Sequence, residues 1–318
     1  MNIVVIGAGG IGAFYGMILH DAGCNIKFVA RGENLQYLKN NKMKVSHGDY
    51  SIEDQIDTYS LGEFMETFTP EECDAIIIAT KAMSTEAISK KLSTWIENST
   101  KVPYFISLQN GVENEDIMEK YYNKDYVIGG LTRLIVSHTI SLGYVHCEGE
   151  VQTLIGAIHK NDDSNKFLEK LKDILDTTQT KTFICEDIKL ELWNKLIINN
   201  GVNAICALVQ EESGPLIRDE KTSKIIYGLM SEAAKASNAV GVNLTQEDAK
   251  KMFELMTNFQ SVKPSMWVDT EHNRDLELDD ICGVVIRNCE KQGFDAPYTR
   301  TVSTILEFIY NRKRAKLL

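Results

Sequence analysis

The chain has 318 residues, of which 43% are hydrophobic and 25% charged, the balance of an ordinary globular protein of about two domains. Forty-five acidic residues against 34 basic ones give a formal charge of −11, the opposite of the basic surplus that nucleic-acid binding draws on. Collagenous, fibrous and disordered classes are excluded on composition, and nucleic acid is not expected as a partner.

Residues Ile3 to Leu19 carry no charge. A secretory leader needs a basic start, which Met1-Asn2 does not supply. A membrane span needs ~20 apolar residues, whereas this stretch is interrupted by Gly7, Gly9, Gly10, Gly12 and Gly16. The expectation is a protein of the cytoplasm with no membrane partner. Instead, Ile3–Ile6 reads as a buried strand running into Gly7-Ala8-Gly9-Gly10-Ile11-Gly12, a G-x-G-x-x-G placed before a helical pattern. In that context the first glycine permits the tight turn and the second lets backbone approach a pyrophosphate. The third allows close helix–strand packing, and the helix N-terminus then faces the phosphates.

The next strand, Ile26–Ala30, decides between cofactors. NAD enzymes place a carboxylate near its tip for the ribose 2′-hydroxyl. Here the tip is Ala30-Arg31, with the arginine 19 residues after Gly12. A guanidinium forks onto a 2′-phosphate that a carboxylate would repel, so NADPH is the expected cofactor. Ala75–Ala79 and Tyr104–Leu108 complete a set of short apolar strands separated by helices, the pattern of a parallel sheet covered on both faces. Thr80-Lys81 and Gln109-Asn110-Gly111 follow these two strands, at the carboxyl ends where open α/β sheets bind ligands. Lys81 is placed to meet an anion, and Asn110 to serve both cofactor and substrate. Tyr126–Gly130, Leu134–Ser137 and Val151–Ile155 suggest further strands, some antiparallel, with a turn at Gly143-Tyr144.

Beyond Thr182 the strand signal stops. Ile188–Val209, Ser223–Val240, Gln246–Phe259, Leu278–Gln292 and Arg300–Arg312 read as helices, with Pro215, Pro264 and Pro297 between them. The fold expected is therefore α/β: a Rossmann-type dinucleotide-binding domain over residues 1–184, then an all-helical substrate domain over 185–318. The basic ending, Arg312-Lys313-Arg314 and Lys316, suits a solvated helix C-terminus. A helical domain of this size is of the kind that supports a homodimer.

In the first of these helices, Leu196 to Val209 contains no charge yet holds Asn199, Asn200, Gly201 and Asn203, all poor helix formers. Buried amides without partners are costly, so they are expected to line a polar cavity. Lys195, Asn199 and Asn203 recur every four residues and span ~80° of one helix face. An ammonium with two amides suits an oxygen-rich anion. Ser265, beside Pro264, either caps a helix or touches a ligand. Glu277, between Leu276 and Leu278, is placed away from solvent, while Asp279 and Asp280 suit a helix N-terminus. The seven cysteines are irregularly spaced without a C-x-x-C pair, and the six histidines show no metal-binding spacing, so reduced thiols and no metal are expected.

Taken together, these residues resemble the ketopantoate reductase family. The resemblance runs through Gly7–Gly12, Arg31, Thr80-Lys81, Gln109–Gly111 and Gly143–His146. It continues through Leu192–Asn203 with its K-x-x-x-N-x-x-x-N, Pro264–Asp269, Glu277–Gly283 and Val284–Pro297, nearly the whole chain. It implies NADPH-dependent reduction of 2-dehydropantoate to (R)-pantoate, a step toward pantothenate and coenzyme A. By the resemblance, Lys195 is the proton donor, and Asn199, Asn203 and Ser265 hold the substrate's carboxylate and hydroxyls. Glu277 contacts cofactor and orients the site, and Lys81 and Asn110 bind cofactor, Asn110 also near the substrate. The chain departs from the family pattern at Ser213, Asp280 and Cys282, changes that bear on the substrate rather than on proton transfer. A sister dehydrogenase of another 2-oxo or 2-hydroxy acid is the alternative enzyme. A non-catalytic NADP sensor would have no need for Lys195 or Glu277. The proposed ligands are anionic, so Arg31, Lys81 and Lys195 make their surroundings locally positive against an acidic outer surface.

Overall fold

The computed structural model describes residues 1–258 and 261–315. Phe259, the expected last residue of one helix, and Lys316 of the basic ending lie outside the described residues. In chain order the elements begin with β1 (Asn2–Ile6), α1 (Gly10–Asp21), β2 (Asn25–Val29), α2 (Gly32–Leu38), β3 (Met43–His47), β4 (Tyr50–Asp54), β5 (Thr58–Tyr59) and α3 (Leu61–Thr67). Then come β6 (Ala75–Ile78), α4 (Thr85–Ile96), β7 (Tyr104–Ser107), α5 (Asn114–Met118), β8 (Val127–Arg133), β9 (Val136–Ser141), β10 (Tyr144–Glu148), β11 (Gln152–Ala157), α6 (Asp162–Leu175) and β12 (Lys181–Ile184). Helices follow: α7 (Ile188–Val209), α8 (Ser213–Arg218), α9 (Glu220–Ser237), α10 (Gln246–Asn258), α11 (Ser265–Glu271), α12 (Val284–Lys291) and α13 (Pro297–Arg314).

Two compact units result. The first comprises Met1–Gln109 with Asn114–Ile188, and the second Asn110–Glu113 with Lys189–Leu318. The first unit is built on an eight-stranded sheet of order β12-β11-β8-β7-β6-β1-β2-β5, parallel throughout except where β8 meets β11. Its central strands are apolar on both faces. Ile3 and Val5 join one core with Ile77 and Ile106, while Val4 and Ile6 join another with Ile76, Ile78 and Phe105. Side chains alternate across a strand, so burial of both faces requires the unbroken apolar runs seen in the sequence.

A second sheet, of order β4-β3-β10-β9, was not expected. Val45 of β3 and Val145 and Cys147 of β10 share a core with Phe14, Met17 and Ile18 of α1. Helix α1 therefore lies buried from Gly12 to Leu19, which accounts for the charge-free N-terminal stretch. Gly16 is needed there, because a Cβ would run into the Phe28 ring. Among the described residues no helix is long and apolar enough to cross a membrane.

In the second unit α7 packs through Trp193, Leu196, Ile197 and Ala204 against Leu229, Met230 and Ala233 of α9 and Val284 and Val285 of α12. The prolines sit at helix starts, two of them within the first turn and Pro264 between helices as expected. Pro297 is the first residue of α13, Pro264 precedes α11, and Pro215 lies in the first turn of α8. Each position leaves no helical hydrogen bond wanting a proline N–H. The start of α13 is held by Glu232, whose carboxylate accepts the N–H groups of Tyr298 (2.9 Å) and Thr299 (2.8 Å). Six cysteines are buried and Cys185 is part-buried, and among the described residues none is joined in a disulfide.

Candidate active site

In the first unit the glycine turn leaves β1 and enters α1. Gly7 has φ +105°, a region that favours glycine, and its N–H donates to the Val29 carbonyl at 2.8 Å. A Cβ at Gly7 would lie 2.9 Å from the Ala79 carbonyl, and one at Gly12 would run into the carbonyl oxygen of Gly7. At Gly9 a Cβ would meet nothing within 4 Å. That open space fronts the first turn of α1, which has no side-chain cap and no acidic residue. Unspent N–H groups at an open helix start are what a pyrophosphate requires, so the residues fit a dinucleotide. Ala8 is buried and Ile11 packs against the core, which leaves backbone as what these two can offer a ligand. Asn34 of α2 clamps the turn by donating to the Ala8 carbonyl at 2.8 Å.

Arg31 is exposed at the tip of β2, immediately before α2, and no carboxylate stands between it and Val29. Lys81 is part-buried at the end of β6, just before a single 3₁₀ turn. Gln109 of the QNG stretch is structural. Its side chain is buried and ties the end of β7 to the end of β6, donating to the Thr80 carbonyl at 3.0 Å and accepting from Thr85 Oγ1 at 3.1 Å.

The other candidates belong to the second unit. Asn110 donates through Nδ2 to Glu277 Oε2 at 3.1 Å, joining residues 167 positions apart. Glu277 is buried, as its place between two leucines suggested. Lys195 is part-buried on α7. Burial lowers its ammonium from the usual lysine range to about 8, and the nearby Glu277 carboxylate opposes that fall. Asn203 is buried and Asn199 part-buried along the same helix face. Among the described residues neither side-chain amide has a hydrogen-bond partner, so both are available to a polar ligand. The arrangement is a lysine ammonium lowered toward neutrality, a nearby carboxylate that accepts from an amide, and two unspent amides one and two turns along.

Asn200 does not belong with them. It is fully buried on another side of α7 and donates to the Leu229 carbonyl (2.8 Å) and to Thr299 Oγ1 (2.9 Å). Gly201, likewise, is where Met230 packs, since a Cβ would lie 2.6 Å from its Cγ. These two poor helix formers serve helix packing. Ser265 is the first residue of α11 and exposed, with Pro264 as the cap position and no side-chain cap. Capping is thus not its role. Ser213 is buried, and its hydroxyl accepts from Val262 N at 3.1 Å, which braces the segment leading to Ser265.

A π-helical turn, Asp279–Gly283, follows Glu277 and runs into α12. Asp279 is exposed and accepts from Arg287 at 2.5 Å, while Glu113 takes the other arm of the same guanidinium at 2.8 Å. Asp280 is different from the solvated helix-start carboxylate expected of it. It is half-buried and held up at about 6, first by burial and then by the charge of Glu277. No spacing in the sequence separates it from Asp279. Cys282 is buried in the core of this unit.

The glycine turn, the carboxylate-free tip of β2 and the lysine–carboxylate pair define a nicotinamide-dinucleotide-dependent oxidoreductase. Comparison with known proteins makes this particular. The family model described as ketopantoate reductase PanE/ApbA matches residues 3–160, and its C-terminal counterpart matches residues 187–310. The 2-dehydropantoate 2-reductase of Archaeoglobus fulgidus is 27% identical over 306 residues, 96% of each chain. Two solved structures share the fold. The 2-dehydropantoate 2-reductase of Geobacter metallireducens GS-15 has a TM-score of 0.83 at 24% identity, over 97% of this chain and 100% of that one. A D-mandelate dehydrogenase solved with NADH and anilino(oxo)acetate has a TM-score of 0.87 at 22% identity, over 98% and 99%. The chain belongs to the ketopantoate reductase family and is an NADP-dependent oxidoreductase.

Proposed function

We propose that this chain reduces 2-dehydropantoate to (R)-pantoate with NADPH, a step toward pantothenate and coenzyme A. The observation that carries the reading is the placement of Lys195, Asn199 and Asn203 on one face of α7, with Glu277 near the lysine and Asn110 bonded to Glu277. NADPH, when bound, supplies a hydride to the 2-keto carbon. Negative charge then gathers on the carbonyl oxygen, and the Lys195 ammonium stabilises it and delivers the proton. A lysine at about 8 suits proton delivery, because it is mostly protonated at pH 7 yet gives up its proton far more readily than an exposed lysine. Glu277 keeps that proton available, and Asn110 keeps Glu277 in place. Asn199, Asn203 and the Ser265 hydroxyl hold the substrate's carboxylate and hydroxyl oxygens. The glycine turn receives the pyrophosphate, Arg31 the 2′-phosphate, and Lys81 a further anionic group of the cofactor.

Asp280 favours a second reading, reduction of another 2-oxo acid, because a half-buried carboxylate next to Glu277 alters what this neighbourhood accepts. One assay decides. Purified protein is incubated with NADPH or NADH and ketopantoate, 2-oxoisovalerate, pyruvate or phenylglyoxylate, and oxidation is followed at 340 nm. The highest kcat/KM with ketopantoate and NADPH is expected. A higher value with another acid would transfer the function to that substrate, and cofactor binding without oxidation of any kind would leave a sensor.

A further inference from the structure

The glycine turn has a neighbour that no part of this reading uses. A Cβ built on Gly10, the first residue of α1, would collide with the Ser137 hydroxyl and lie 3.0 Å from the Ser137 Cβ. Ser137 belongs to β9, at the edge of the second sheet. It stands opposite Cys147 of β10. Residues facing each other across antiparallel strands point to the same side of the sheet, and Cys147 is buried in the core that contains α1. Ser137 therefore presents its side chain to α1 and, by position along the strand, to the first turn of that helix.

The chain is bent to bring it there. Leu134, between β8 and β9, has φ +60°, a left-handed conformation that disfavours a leucine and recurs where function requires it. Gly149 completes the bend, since a Cβ there would strike the Leu134 carbonyl oxygen. Among the described residues the part-buried Ser137 hydroxyl has no hydrogen-bond partner. Its flank of α1 is the end with unspent N–H groups, beside the open space at Gly9.

We infer that Ser137 is a cofactor-binding residue, its hydroxyl donating a hydrogen bond to the pyrophosphate seated on the first turn of α1. The glycine at position 10 is then required by Ser137 as much as by the phosphates. The inference rests on the dinucleotide assignment of the turn, which it deepens, and makes β9 part of the cofactor site.

The test compares two ligands. NADPH carries a pyrophosphate, and adenosine 2′-phosphate does not. Dissociation constants for both are measured by calorimetry on the wild-type chain and on Ser137→Ala, alongside the melting temperature of each protein without ligand. A hydrogen bond to a charged group lost from the complex weakens NADPH binding about tenfold, while adenosine 2′-phosphate binds equally to both proteins. The ratio of the two constants does not depend on the fraction folded, so it stays informative even if Ser137→Ala is less stable. An unchanged ratio overturns the inference. Failure of the wild-type chain to bind NADPH would instead remove the dinucleotide assignment itself.

Discussion

Replacing Glu277 with glutamine tests the coupling at the centre of the proposed chemistry. The change keeps the shape and the acceptor for Asn110 but removes the charge that holds Lys195 up. Two unit charges ~5 Å apart at an effective dielectric of about 20 interact by ~3 kcal/mol, and partial access of water reduces this, so a loss of about 1–2 pKa units is expected. Lys195 would then titrate near 6.5 instead of about 8. At pH 7.5 its protonated fraction falls from about three quarters to about one tenth, whereas at pH 6 it stays above about 0.7 in both proteins. The pH profile of kcat at saturating NADPH and substrate, from pH 6 to 9, reads this directly. The wild-type chain should lose reductase turnover as pH rises through about 8. The Glu277→Gln variant should lose it one to two units earlier, and recover most of its activity at pH 6. Asp280, near 6, is about half-neutralised at the lower end of this window in the wild type. A variant whose activity falls by the same factor at every pH would show that Glu277 does not tune Lys195.

Three further outcomes are expected. Lys195→Met should lower kcat by about a hundredfold or more while raising stability at neutral pH by up to about 3 kcal/mol, because the folded state depresses the lysine from 10.5 to about 8. The unfolded chain binds the extra proton between those values, so the penalty is complete below pH 8 and fades toward 10.5; thermal melts of the two proteins should converge there. Arg31→Ala should lower kcat/KM for NADPH at least about tenfold and leave that for NADH nearly unchanged, with an unaltered ratio removing Arg31 from cofactor choice. Asn200→Ala should cost about 2–3 kcal/mol through the two bonds it donates to Leu229 and Thr299. Chemical denaturation would show that loss, while kcat of the folded fraction stays within about twofold.

The contrast between Asn200 and its neighbours shows where sequence reasoning reaches and where it stops. Four poor helix formers in an apolar helix announce that something other than helix propensity chose them, and that much is legible. Periodicity then sorts Asn199 and Asn203 with Lys195, but it cannot say that the Asn200 amide nitrogen donates to a carbonyl on α9 and a hydroxyl on α13, because those partners are 29 and 99 residues away. The same limit separates the two sheets. The central strands of the large sheet are apolar on both faces and stand out. Of the small one, a strand over Leu134–Ser137 and a turn at Gly143-Tyr144 are legible, where β9 turns back into β10, but β3 and β4 are not, because β4 is partly exposed and β3 pairs with β10 about a hundred residues later. Yet that small sheet buries the other side of α1 and carries β9 to the glycine turn. By sequence alone Gly10 is one more conformationally free residue of a phosphate loop. With Ser137 in place it is a contact position, and the uncharged run from Ile3 to Leu19 becomes the record of a buried strand and of a helix buried from Gly12 onward, with open space at Gly9 before its first turn.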